Sequence, residues 1–165
     1  MSEVAVRDAR PADAPAIAPI YNEAVRERIA TFQTREHDSG DFERLIDSKR
    51  VFLVAERDGE VLGAAWVSDY DPVNDYYAGV GEVTVYVSGS ARRQGIGAAL
   101  LAAAAQRAAA SGRHKLTGKI FASNRASLRL FERAGYDVVG THRRHERLDG
   151  EWKDVVVLER LLAED

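Results

Sequence analysis

Apolar positions recur with two different periods along this chain, and the switches between them mark its elements. Val4 and Val6 alternate with polar neighbours and predict a short first strand. Pro11 and Asp13 then open a helix with Ile17, Ile20, Tyr21, Ala24 and Val25 on one face, at the spacing of an α-helix. Thr31 to Gly40 is polar and irregular, and Asp41 is the expected cap of a second helix carrying Phe42, Leu45 and Ile46. Val51 to Ala55 and Val61 to Val67 are compact apolar runs, and Asp58-Gly59 between them signals a hairpin. Asp69 to Tyr77 reads as a loop. From Gly81 to Val87 strict alternation returns: Val83, Val85 and Val87 share one face of a strand, and Glu82, Thr84 and Tyr86 share the other.

The second half repeats this grammar. A turn containing Gly95 and Gly97 leads into an Ala-rich helix from about Ile96, stopped at Ser111-Gly112. Lys115 to Phe121 is a strand. Asn124 caps a helix running to about Ala134, with Leu128, Leu130 and Phe131 as its apolar contacts and Gly135 ending it. Two late strands, Tyr136 to Leu148 and Trp152 to Leu161, meet at Asp149-Gly150. The order β-α-α-β-β-β-α-β-α-β-β predicts a mixed α/β fold. A chain of 165 residues without repeats or linkers suits a single domain, 1–165.

Composition narrows the function. A net charge of -3 argues against a broad nucleic-acid or membrane surface. The chain has no cysteine, which removes disulfides, thiolate metal sites and cysteine nucleophiles. The charged start, Met1 to Arg10, does not read as a secretory signal. Ala98 to Ala110 is the nearest approach to a spanning segment, and Gln106 and Arg107 interrupt it. A cytoplasmic protein is expected. The four histidines lack metal-binding spacing, so no metal is expected.

The strongest chemical signal is the strand Val83 to Val87 followed by Arg92-Arg93-Gln94-Gly95-Ile96-Gly97 and a helix. Glycines let backbone N–H groups approach a ligand closely. The helix start aims its unpaired N–H groups and positive dipole end at the same point, which suits phosphate. Arg92 and Arg93 add charge. No Gly-Lys-Ser/Thr follows, which excludes a P-loop. The preceding sheet looks antiparallel, which disfavours a dinucleotide fold. A tight strand-to-helix turn with solvated arginines is the plain alternative.

These residues resemble the acetyl-CoA motif of the GNAT family of N-acetyltransferases: Arg92-x-x-Gly95-x-Gly97 after a strand. Asn124-x-x-Ser127 with Gly135-Tyr136 is similar to that family's second cofactor motif, and Pro11-x-Asp13 to its usual opening. Ile20-Tyr-Asn22, Thr31-Phe32, Gly81 to Val87 and Gly150-x-Trp152-x-Asp154 resemble the phosphinothricin, methionine sulfoximine and arsinothricin acetyltransferase branch. The resemblance implies a mixed, mostly antiparallel sheet of about seven strands flanked by about four helices. It implies acetyl-CoA as donor, with the backbone of Val85, Tyr86 and Val87 pairing with the pantetheine arm. Amides from Arg93 through Gln94, Gly95, Ile96 and Gly97 to Ala98 would hold the pyrophosphate, and Asn124 and Arg133 would lie near the cofactor. It also implies a homodimer.

Amine acetylation needs a base to take the amine proton. Glu82 is the candidate, three residues before Val85 on the same strand and matching the glutamate of the branch. Gly79 and Gly81 beside it suggest a bulge or a close ligand approach; an ordinary strand carboxylate is the other reading. Where many relatives carry a tyrosine as acid for the leaving thiolate, this chain has Phe131, and the branch that it resembles also generally lacks tyrosine there. Tyr21, Thr31, Phe32 and Tyr77 fall where the branch shapes its acceptor pocket, although each also suits core or rim. The loop Asp69 to Asp75 holds three aspartates and no base, unlike relatives that act on anionic amino acids. A cationic amine would suit an acidic mouth, and solvated turn formers would explain the aspartates equally. His142 to Arg147 would place Arg143, His145 and Arg147 on one strand face. One of them could replace the missing loop base, or the segment is a charged, solvated edge strand.

The expected activity is direct transfer of acetyl to the primary amine of a small amino-acid-like acceptor. Transfer to a polyamine, peptide or protein amine, and a non-catalytic acyl-CoA-binding module, are the rivals.

Overall fold

The computed structural model describes residues 2–162; Met1 and residues 163–165, the ends of the expected domain, lie outside the described residues. Its elements run β1 (Ala5–Asp8), α1 (Ala14–Glu27), α2 (Ser39–Ser48), β2 (Val51–Arg57), β3 (Glu60–Asp69), β4 (Val80–Val87), α3 (Ile96–Ala110), β5 (Lys115–Phe121), α4 (Arg125–Arg133), β6 (Asp137–Leu148) and β7 (Glu151–Leu161). The order matches the one that hydrophobic periodicity predicts. The seven strands form one sheet in the order β1-β2-β3-β4-β5-β7-β6. Neighbours are antiparallel except β4 and β5, which are parallel. The four helices and mixed sheet are the fold that the resemblance implies.

Apolar runs in β2 and β3 are continuous because both faces of the sheet are covered. Leu53, Ala65, Val83 and Leu116 pack with Leu100, Leu101, Ala104 and Phe131 from α3 and α4. Phe52, Val54, Ala64 and Trp66 pack with Ile17, Tyr21, Val25, Phe42 and Ile46 from α1 and α2. Phe52 and Trp66 stack with centroids 5.0 Å apart. None of the described helices is long and apolar enough to cross a membrane.

Two local expectations are corrected. Asp38, not Asp41, is the N-cap of α2: its side chain accepts from Asp41 N–H at 2.8 Å, and Asp41 returns the bond to Asp38 N–H at 3.0 Å. Asp41 is the third residue of a reciprocal capping box. Pro11-x-Asp13 forms a 3-10 turn before α1, and Asp13 ties that turn to β1. Arg7 grips both Asp13 oxygens at 2.8 Å, and Asp13 also accepts from Arg10 N–H at 2.7 Å. These bonds hold the Asp13 carboxyl below its ordinary range, chiefly through Arg7.

Candidate active site

The site begins where two parallel strands part. The pairing of β4 with β5 covers Val80↔Lys115, Gly81↔Leu116 and Glu82↔Thr117. Beyond Glu82, β4 continues to pair with β3 as far as Val87↔Gly63. Its other flank, from Val83 onward, opens into a cleft of ≈ 380 Å³ lined by β4, by β5 from Lys119 to Phe121, and by α4. A strand flank without a neighbour presents backbone donors and acceptors that need partners. Val85 and Tyr86 line this cleft; Val87 ends the same strand.

Glu82 stands at the fork and lines the cleft. Its Oε2 accepts from Lys119 Nζ at 3.0 Å. Gly79 and Gly81 do not mark a bulge, because the β3·β4 register runs unbroken through Gly81. They permit close packing instead: a Cβ would meet the His114 ring at 2.3 Å from Gly79, and Val67 at 2.5 Å from Gly81.

Beyond β4 the chain makes a short turn into α3. Arg93 and Gly95 take left-handed backbone conformations, φ 62° and 78°. Nothing lies within 4 Å of where a Gly95 Cβ would sit. Gly97 also has a packing role. It is buried, and a Cβ there would come within 2.8 Å of Leu130, so it lets α3 and α4 approach. The bond from Ala99 N–H to Gly95 C=O is 3.0 Å. The N–H groups of Ile96, Gly97 and Ala98 precede it at the open helix end. Arg92 turns from this opening to α1, with Nη2 2.8 and 3.0 Å from the Glu27 oxygens. Gln94 Oε1 accepts from Arg57 at 2.9 Å. Asn124 caps α4, its Oδ1 accepting from Ser127 N–H at 3.3 Å, and both residues line the cleft. Arg133 is exposed at the far end of α4.

The structure separates the acceptor candidates. Thr31 and Phe32 line the cleft, and Phe32 meets Phe121 edge-on at 4.7 Å. Tyr21 lies behind the cleft wall, 8% exposed, its ring 5.3 Å from Tyr86. Burial pushes the Tyr86 hydroxyl up to about 12, against an opposing hydrogen bond with Thr31. Tyr77 lies outside the cleft lining, on the exposed loop beside Tyr70 and Tyr76. Phe131 is 3% exposed and lines the cleft without a proton to give.

Two charged segments differ from expectation. Within the loop, Asp69 is bound by Arg113 at 2.7 Å, which holds its carboxyl below the ordinary range. Asp71 accepts from Asn74 Nδ2 and from the N–H groups of Val73 and Asn74, which lower it likewise. Both carboxylates are consumed by local structure. The two-face alternation predicted for His142 to Arg147 fails because β6 bulges: His142 faces Val155, and Glu146 faces Lys153. Arg144 takes φ 46° and its N–H donates to Asp154 Oδ1 at 2.8 Å. The bulge turns His145 into the cleft, and Arg147 covers the Trp152 ring at 4.4 Å. Of the three candidates on this segment, His145 is the one that lines the cleft, and Lys119 is a cleft residue that sequence reasoning missed. Lys119 shares a strand face with Thr117, but which face meets Glu82 depends on the parallel pairing. Among the described residues, no group of three or more His, Cys, Asp or Glu is placed to hold a metal.

Comparison with known proteins agrees with this geometry. The model of the acetyltransferase (GNAT) family matches residues 17–136. An L-methionine sulfoximine/L-methionine sulfone acetyltransferase of Pseudomonas aeruginosa is 31% identical over 159 residues, 93% of this chain and 92% of its own. A phosphinothricin N-acetyltransferase of Alcaligenes faecalis is 33% identical over 95% of this chain and 82% of its own. The structure of a Salmonella typhimurium acetyltransferase solved with its cofactor acetyl-CoA superimposes with a TM-score of 0.93 at 28% identity, over 98% of this chain and 95% of that one. This chain belongs to the acetyltransferase (GNAT) family and is an N-acetyltransferase, of the kind whose solved relative holds acetyl-CoA as its cofactor.

Proposed function

We propose that this chain is a single catalytic domain that transfers acetyl from acetyl-CoA to the primary amine of a small amino-acid-like acceptor. The observation that carries this reading is Glu82, a carboxylate at the fork where β4 leaves β5, beside an open strand flank. The acyl arm of the donor would add to that flank, along Val85, Tyr86 and Val87, as a strand adds to a sheet edge. The amides from Arg93 to Ala98 would receive the pyrophosphate, and the open space at Gly95 fits that role. Asn124 would contact the arm near the thioester, and Arg133 would lie beyond it.

Glu82 then acts as general base. One oxygen is bound to Lys119, and the other is available to take the proton of the incoming ammonium. The freed amine attacks the thioester carbonyl carbon, forming the C–N bond as the C–S bond breaks, and the second proton that the nitrogen then sheds passes through water to the departing thiolate to give CoA. Phe131 supplies no proton, so the thiolate leaves into a site of backbone dipoles and water. Thr31 and Phe32 would shape the acceptor end, with Tyr21 and Tyr77 as outer supports. The relatives named for phosphinothricin and methionine sulfone support an amino-acid-like acceptor. The aspartates tied up in the loop weaken the case for a polyamine.

The protein is read as cytoplasmic and as a homodimer. Exposed Val138, Val139 and Trp152 on the last hairpin support the dimer, and light scattering should give twice 18.2 kDa. An acetyl-CoA turnover screen over phosphinothricin, methionine sulfone, arsinothricin, polyamines and short peptides tests the acceptor class. Free CoA is expected with the amino-acid analogues. Release only with peptides or polyamines would overturn the acceptor class, and release with none would overturn the enzymatic reading.

A further inference from the structure

We propose that Lys119 is a specificity-determining residue that binds the α-carboxylate of the acceptor; the inference rests on the amine-acetylation reading above. The loop at Asp69 to Asp75 holds three aspartates and no base. Two other arginines are engaged elsewhere. Arg113 is bound to Asp69 at 2.7 Å and to Val80 C=O at 2.8 Å, and it borders a separate cleft with Arg50. Arg147 lies on Trp152. Lys119 and His145 are the basic side chains that line the cleft with Glu82.

The spacing of the pair suits an α-amino acid. Lys119 Nζ lies 3.0 Å from Glu82 Oε2. In an α-amino acid the nitrogen and the carboxyl carbon are about 2.5 Å apart, from the N–Cα and Cα–C bond lengths. An acceptor whose ammonium meets the Glu82 carboxylate therefore brings its own carboxylate beside the Lys119 ammonium. Four charges then alternate in sign, and each anion gains a charge-assisted hydrogen bond. The same arrangement rejects an amine without the carboxylate, because nothing replaces that bond to Lys119. It also repels a second ammonium on a polyamine. Lys119 is half-exposed, its side chain 52% accessible, so it has room to move between Glu82 and an acceptor. β5 positions it: Thr117, two residues earlier on the same face, pairs with Glu82, which sets Lys119 where the strands diverge.

The test compares methionine sulfone with its decarboxylated counterpart, 3-(methylsulfonyl)propylamine, in the wild type, Lys119→Met and Lys119→Arg. The wild type should prefer the amino acid. Lys119→Met should raise the KM for methionine sulfone by about tenfold to a hundredfold, as expected for loss of a hydrogen bond to a charged group. The KM for the decarboxylated amine should change little, so the preference collapses, and Lys119→Arg should restore most of it. Calorimetric titration of methionine sulfone into the CoA complex should show the same loss of affinity in Lys119→Met, independently of turnover. Unfolding midpoints serve as the control for folding. If Lys119→Met lowers kcat for both acceptors alike and leaves their ratio unchanged, Lys119 only positions Glu82 and the inference is wrong. A wild type with no preference for the amino acid overturns it too. Absence of CoA release with every acceptor is a different result and removes the enzymatic reading itself.

Discussion

Two glycines that look alike in the sequence have different tasks in the structure. Gly95 needs its left-handed backbone, φ 78°, and has open space around its Cα. Gly97 needs only the absence of a Cβ, because Leu130 lies 2.8 Å from where one would be. Gly95→Ala should cost about 1–2 kcal/mol from backbone strain. Gly97→Ala should cost about 1–3 kcal/mol from overpacking. Leu130→Ala should recover part of the loss in Gly97→Ala and none in Gly95→Ala, measured by denaturant unfolding. Equal rescue of both would contradict the assignment. The motif Arg92-x-x-Gly95-x-Gly97 is legible from sequence because its residue types are unusual. The division of labour is not, because it depends on where α4 packs.

At the scale of elements, periodicity is enough to order the strands and helices. It places β5 at Lys115–Phe121, the same bounds the structure shows. The strand pattern is strong there because alternate residues meet different layers of core. Periodicity fails where hydrogen bonds, rather than burial, set the backbone. Asp38 displaces Asp41 as the cap through a reciprocal bond. In β6, Asp154 holds a bulge by accepting from Arg144 N–H, and every position from Arg143 to His145 loses its alternation. Residues on an exposed edge carry no apolar signal to reveal such a shift. Asp154→Ala should release the bulge and withdraw His145 from the cleft. On the proposed reading, which puts His145 at the acceptor end with Lys119, the acceptor KM should rise by several-fold while the affinity for acetyl-CoA holds. An unchanged acceptor KM would show that the bulge is incidental to binding.

For the whole molecule, the sheet and its two helical layers hold the fork in place, and the Arg7–Asp13 pair locks β1 to the layer formed by α1 and α2. Arg7 also reaches Glu56 on β2 at 3.0 Å. The folded Asp13 carboxyl titrates below the ordinary aspartate value, so its contribution is fully present above about pH 3.9. That contribution is lost as pH falls through the lower folded value. Asp13→Asn should lower stability by about 2 kcal/mol near neutrality and flatten the acid limb of the stability curve. Urea melts from pH 7 to pH 2 measure both effects. An acid limb identical to the wild type would mean that Asp13 is not a source of acid sensitivity. The parting of β4 from β5 is also a whole-molecule property. Its place on a strand and its likeness to relatives make Glu82 a candidate from sequence, but the open flank beside it and Lys119 opposite it follow only from a parallel pairing between distant segments.

The measurement that bears most directly on the central claim is single-turnover acetyl transfer to methionine sulfone by Glu82→Gln, with the dissociation constant of acetyl-CoA measured on the same protein. Loss of a general base should slow transfer by about 10²–10⁴-fold while acetyl-CoA binding stays at the wild-type level. Transfer by Glu82→Gln at the wild-type rate, with acetyl-CoA bound normally, would contradict the assignment of Glu82 as the base.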